Sequence, residues 1–259
     1  MPPGAPADWL RPDWDAAGVG ALMTTRQGGF SSGPYASMNL RDGLGDDSAA
    51  VARNCARFEQ ALGARPLLLS QVHGTRVVRL READAHTDAP PHEADAAITT
   101  EPGIACCVQV ADCLPVLFAA PAACGVGAAH AGWRGLSGGV IEATLAALCE
   151  ATACAVADVQ VWLGPCIGPR RFEVGADVLA AFGADPAAAT GHPRFRPHAP
   201  GKWLADLAGL ARDRLRSAGV TAVGGGTWCT VEDTSRFYSF RRDRVTGRMV
   251  AAVWLQRPG

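Results

Sequence analysis

Residues 104–132 read IACCVQVADCLPVLFAAPAACGVGAAHAG. Three apolar runs follow one another here: Ile104–Val110, then residues 116–120, then residues 125–129, with His130 at the end of the last. Each is short, apolar and bounded by Pro, Gly or Asp, which is the pattern of strands. Between the first two lies Asp112-Cys113-Leu114-Pro115. Proline forces extended backbone on the residue before it, so Cys113 is expected in a connection facing a cavity rather than inside a strand.

Working outward, residues 67–72 form another apolar run, closed by His73-Gly74, and Ala96–Thr99 a short one. Val51, Cys55, Phe58 and Leu62 recur at helical spacing, with Ser48 as cap and Gly63 as stop. A second helix follows Gly138-Gly139, with Val140, Ile141, Thr144, Leu145 and Leu148 inward; a third is expected over 204–218. Strands are expected from Val159 to Leu163 and over Met249–Leu255. Residues 81–94 read as a surface loop, and 183–201, rich in Pro, Gly and Ala, as a mobile loop or insertion. Strands and helices mix without strict alternation, which favours α+β over a doubly wound sheet. Residues 1–20 read as a lead-in and 21–259 as one domain.

The bulk numbers exclude several classes. With 48% hydrophobic residues the chain can bury a substantial core, and a net charge of −1 with scattered arginines offers no footprint for nucleic acid. No apolar run approaches a bilayer span, and the first residues lack a basic segment followed by a long apolar one, so neither membrane insertion nor secretion is expected. The nine cysteines are odd in number and irregularly spaced. Most sit in apolar surroundings, and Cys55, Cys106, Cys107, Cys124 and Cys149 read as small buried hydrophobes of a cytoplasmic protein, not as a disulfide framework.

His73, Cys113 and His130 stand at the ends of three apolar runs, 40 and 17 residues apart. That spacing fits no linear zinc finger. Two imidazoles and a thiolate from separate strands can hold zinc with one position open. The same trio can instead make a thiolate nucleophile with a histidine base. A lone histidine in a turn is usually just hydrogen-bonded; Trp133 and Arg134 beside His130 add a stacking face and an anion fork. Arg26 and Arg134 are flanked by glycines, and Arg241 and Arg242 add further positive charge. Backbone N–H groups at Ser137-Gly138-Gly139 could receive an anion, although an ordinary helix start explains them as well. Gly125-Val126-Gly127 begins like a dinucleotide loop, but His130 stands where the third glycine belongs.

Taken in order, TTRQGGFSSGPYASMNL, SQVHGTRVV, EADAAITTEPGIACCVQVADCLPV, AAHAGWRGLSGGVIEATL, LGPCIGP and FYSFRRDRVTGRM resemble the YfiH family, also called the laccase-domain or multicopper polyphenol oxidase family. The resemblance runs from about residue 20 to the C-terminus. It implies an α/β/β/α sandwich related to cysteine hydrolases. It implies a metal, zinc or in some members copper, on His73, Cys113 and His130. It also implies purine nucleoside phosphorolysis of adenosine, inosine and methylthioadenosine, with adenosine deamination as a companion activity. Arg26, Asn39, Arg134 and Arg242 are the substrate-binding candidates, and Cys166 in LGPCIGP reads as packing.

A laccase needs a copper cluster ligated by many histidines beyond its His₂Cys site. Six histidines without an H-x-H pair cannot assemble one. Three readings remain: a zinc-dependent purine nucleoside phosphorylase, a cysteine hydrolase acting on an amide or peptidoglycan-precursor bond, and a metal-binding module without catalysis.

Overall fold

The computed structural model describes residues 6–86, 89–186 and 191–257. Two sheets stack face to face. One has four strands, in the order β1 (Val19–Met23), β13 (Met249–Leu255), β5 (Ile104–Val110) and β2 (Arg65–Leu67). The other has six: β12 (Ala222–Gly225), β8 (Gln160–Leu163), β6 (Leu114–Ala119), β7 (Val126–Ala131), β4 (Ala96–Thr99) and β3 (Val77–Arg79). A smaller sheet of β10 (Phe195–Ala199), β11 (Lys202–Ala205) and β9 (Glu173–Val174) flanks them.

The continuous apolar runs follow from burial on both faces. In β5, Cys106 and Val108 face the six-stranded sheet, packing with Leu117, Ala128 and Trp162. Its alternate residues Ala105 and Cys107 face Phe58 and Leu62 of α1 (Ser48–Leu62). The far side of the six-stranded sheet, with Val116, Phe118 and Ala129, is covered by α3 (Val140–Thr152) and α5 (Leu207–Ser217). The layers are therefore helix, sheet, sheet, helix, an α/β/β/α sandwich of mixed sheets. Short helices α2 (Trp133–Gly138), α4 (Ala176–Ala181) and α6 (Phe240–Asp243) complete the elements.

Several local expectations are corrected. The cap of α1 is Asp47, whose carboxylate accepts from Ala49 N; Ser48 is the first helical residue. Strand β2 stops at Leu67, because the chain then leaves the four-stranded sheet and joins the six-stranded one at β3. Strand β7 runs through His130 to Ala131 instead of ending before it. Gly138 ends the short helix α2, and Gly139, at φ +101°, makes the turn into α3. Within 183–201, expected as a mobile loop or insertion, Phe195–Ala199 forms strand β10 and pairs with β11; 187–190 of that stretch lie outside the described residues. The helix expected from 204 begins at Leu207 behind the Asp206 cap, and Leu204 belongs to β11. The lead-in packs down: Trp9 is buried, and Leu10 bridges to Met23. No helix among the described residues is long and apolar enough to cross a membrane.

Candidate metal centre and its two cavities

Strands β5 and β6 are consecutive in sequence yet lie in different sheets, so residues 111–113 carry the chain from one sheet to the other. Asp112 takes φ +93° at this crossing. Its carboxylate is held by Thr230 Oγ1 and by the backbone N–H of Arg241 at 2.6 Å, and its carbonyl by Ile167 N at 2.9 Å. Cys113 is thereby fixed at the seam. Residues 68–76 make a second crossing, from β2 to β3, and carry His73 at φ +63°. His130 comes from β7, directly across from Pro115 of β6.

These three side chains meet. Their ligand atoms all lie within 4.8 Å of one another, with Cys113 Sγ 3.8 Å from His73 Nε2. The two imidazoles stand edge to face, ring centroids 4.7 Å apart. Gly132 makes room: a Cβ there would sit 3.0 Å from His73 Cδ2 and 3.1 Å from Cys113 Sγ.

Asp95, fully buried just before β4, organises the cluster. Its carboxylate accepts from the backbone N–H groups of Val72, His73 and Gly74 at 3.1, 2.9 and 2.6 Å. It also accepts from His130 Nδ1 at 2.8 Å. Burial opposes its ionisation, but the hydrogen bonds from His130, Gly74 and Val72 outweigh that and hold it below the usual carboxylate range. Burial likewise opposes charge on Cys113, yet His130 and His73 bring its thiol down to about 6. Burial would lower His130, but Asp95 and Cys113 raise it to about 9.

The donor set suits a metal ion. Zinc bonds of about 2.3 Å to sulfur and about 2.0 Å to nitrogen place tetrahedral donors roughly 3.5 Å apart. The Sγ–Nε2 separation is close to that. The Asp95 bond to Nδ1 leaves His130 Nε2 as its ligand atom, the carboxylate–histidine arrangement of metal sites. Three donors leave a position open. Among the described residues this is the one cluster of three such side chains.

Two cavities flank the cluster. One, of about 300 Å³, is lined by Arg41, Gln71, Gln109 and Arg248 together with the trio. The other, of about 130 Å³, has walls of Trp133, Phe172, Leu207 and Phe240, with Cys113 at its edge.

The substrate-binding candidates fall in different places. Arg26 donates to the carbonyls of Ala36 and Thr234 and stacks over Tyr238. Arg242 donates to the carbonyls of Thr230, Val231 and Phe237 and pairs with Asp243. Arg134 is exposed and braces the Trp133 ring from 4.3 Å. Asn39 is buried: its Oδ1 accepts from the backbone N–H of both Arg41 and Arg248, at 3.1 and 2.9 Å. Cys166 is core packing, and burial pushes its thiol far up. Asp95, Arg41, Arg248, Gln71, Gln109 and Phe172 escaped the sequence reading. Arg41 lies two residues beyond Asn39, and Arg248 follows Thr246-Gly247, which is the only cue either offers.

Residues 20–256 match the family described as multi-copper polyphenol oxidoreductase laccase. A protein of Pseudomonas aeruginosa named a purine nucleoside phosphorylase is 49% identical, over 96% of this chain and 98% of its own. The Escherichia coli protein named purine nucleoside phosphorylase YfiH is 43% identical, over 94% and 97%. A crystal structure of a Neisseria meningitidis protein of the DUF152 family superposes with a TM-score of 0.87 at 44% identity, covering 96% of this chain and all of that one. YlmD from Geobacillus stearothermophilus gives 0.87 at 34%, covering 96% of each. Motifs, layered fold and relatives agree: the chain belongs to the YfiH family of laccase-domain proteins.

Proposed function

We propose that this chain is a zinc-dependent purine nucleoside phosphorylase acting on adenosine, inosine and methylthioadenosine, with adenosine deamination as a side activity. The observation that carries the reading is the His73–Cys113–His130 cluster set between a cavity with arginines and a cavity with aromatic walls. The relatives' names point the same way.

In phosphorolysis an oxygen of hydrogen phosphate bonds to the anomeric carbon while the glycosidic C–N bond breaks. The electron pair goes to the purine, and the proton of hydrogen phosphate ends on a ring nitrogen. His73, Cys113 and His130 would hold the metal. When bound, zinc supplies a Lewis acid and lowers the pKa of a coordinated water, which is the chemistry deamination needs. The chain's own residues do the rest. Asp95 keeps the His130 proton at Nδ1 and fixes the His73 turn. The rings of Trp133, Phe172 and Phe240 offer flat apolar faces on which a purine can stack.

The decisive experiment incubates the zinc-loaded protein with adenosine, with and without phosphate, and separates the products by chromatography. Adenine and ribose 1-phosphate formed only with phosphate support the reading; no release of base under either condition refutes it. The Cys113 thiol near 6 favours one competitor, a cysteine hydrolase with Cys113 as nucleophile. Covalent trapping of Cys113 by an amide-like substrate analogue would support that competitor.

A further inference from the structure

Arg41 and Arg248 are the two arginines that line the cavity holding the metal trio. Arg236 pairs with Asp233, Arg242 with Asp243, and Arg170 and Arg171 with Glu232. The Arg248 guanidinium donates only to the carbonyls of Thr246 and Gly247, both at 3.1 Å. The Arg41 side chain makes no hydrogen bond or ion pair with any described residue. Both line the same cavity as the metal trio.

Like charges placed together cost free energy unless an anion comes between them. Here the pairing is built in. One buried amide, Asn39, accepts from the backbone N–H of both arginines, and its Nδ2 donates to Arg41 O at 3.0 Å and to Asp46 at 2.9 Å. Gln109 ties the same wall to the chain, donating from Nε2 to Leu40 O at 2.7 Å, while Gln71 clasps the Gln109 backbone from the opposite side. Burial first, and the Arg41 charge second, hold the Arg248 guanidinium below its ordinary value, which places the two charges within each other's field. Of the three groups whose field favours the Arg248 charge, Cys113, Asp112 and Tyr35, the first two lie on the metal side, and Asp112 is spent on Thr230 and Arg241.

We propose that Arg41 and Arg248 form the binding site for inorganic phosphate, on the Gln71–Gln109 side of the metal trio. Guanidinium groups bind phosphate oxygens through paired charge-assisted hydrogen bonds, and the cavity of about 300 Å³ admits an orthophosphate ion beside the cluster. Asn39 is then a positioning residue that sets the spacing of the two arginines. The choice of phosphate among oxyanions rests on the phosphorolysis proposed above; the anion site itself does not.

The test titrates inorganic phosphate into the zinc-loaded protein by calorimetry, with Arg41→Gln, Arg248→Gln and the distant Arg65→Gln alongside. Arg41→Gln breaks no side-chain bond and reports the charge alone. We expect each site variant to weaken phosphate binding about tenfold or more, and Arg65→Gln to bind like wild type. In turnover, Arg41→Gln raises KM for phosphate by a similar factor and leaves KM for the nucleoside within about twofold. Phosphate binding unchanged in both site variants overturns the assignment. Exclusion of phosphate by saturating adenosine, with adenosine 5′-monophosphate binding through the same arginines, also overturns it in favour of a phosphorylated nucleoside. Arginine-dependent phosphate binding without any phosphate-dependent base release would leave the anion site standing and sink the phosphorylase reading alone.

Discussion

The carboxylate of Asp95 lies 2.8 Å from Nδ1 of His130, fully buried, and the same carboxylate gathers the three backbone N–H groups of residues 72–74. One side chain thus orients one ligand and anchors the turn carrying another. Asp95→Asn keeps the size but loses the charge, and its amide presents donors where only acceptors fit. Zinc affinity, measured by competition with a chelator, should fall about 10- to 100-fold. Affinity within twofold of wild type would remove Asp95 from the account. Asp95→Ala leaves the buried Nδ1–H of His130 without an acceptor, which should cost about 1–3 kcal/mol, and frees the more exposed turn donors of residues 72–74 at lower cost, read together as loss of thermal stability in the metal-free protein.

Cys113→Ala should abolish both stoichiometric zinc, measured by elemental analysis, and nucleoside turnover. Full activity in a metal-depleted variant would refute the assignment of the trio.

Gly132→Ala tests the close approach. The backbone there has φ −62°, which alanine adopts freely, so only space is at issue. The new Cβ would stand 3.0 Å from His73 Cδ2 and 3.1 Å from Cys113 Sγ, inside van der Waals contact, so one of the two ligands must shift by a few tenths of an ångström. Metal affinity should drop while the circular dichroism of the metal-free protein stays that of wild type. Unaltered affinity would mean that the ligand side chains shift without cost.

The pH behaviour follows from two opposed displacements. In the metal-free protein the Cys113 thiol ionises near 6 instead of 9.0, and His130 stays protonated to about 9 instead of 6.5. A lowered thiol stabilises the fold increasingly as pH rises from 6 to 9. A raised imidazole loses its contribution over 6.5 to 9. Between those limits the folded pair and the unfolded pair carry the same number of protons, so this pair adds no slope to stability against pH. Alkylation tells them apart: Cys113 should react with iodoacetamide along a curve with its midpoint near 6, seen by peptide mass spectrometry, and zinc should protect it. A midpoint near 9 would contradict the thiolate.

Much of the sandwich is legible in the chain because β5, β6, β7 and β13 are buried on both faces, which leaves uninterrupted apolar runs. What the pattern cannot carry is sheet membership. Leu68 and Leu69 look like the rest of a strand, yet they lie on a crossing between sheets. Leu204 fits helical spacing and strand alternation equally, and the Asp206 cap decides. Hairpin strand β10 is exposed at all but Phe195, so its Arg, Pro and His look like loop. The trio is visible as run-ending His and Cys. Asp95 is hidden, because a buried carboxylate at the end of an acidic surface loop looks like one more solvated charge. Arg26 and Arg242 drew notice for their neighbours, but bonding to distant carbonyls, a tertiary property, separates them from Arg41 and Arg248.

Two of the three ligand positions ride on segments that pass from one sheet to the other, and the third is rooted in the inner strand β7. An ion bonded to all three therefore acts as a rivet through the layers. Loading it should raise the melting temperature as a function of free zinc, and stripping it should let this end of the molecule exchange its amide hydrogens faster than the opposite end.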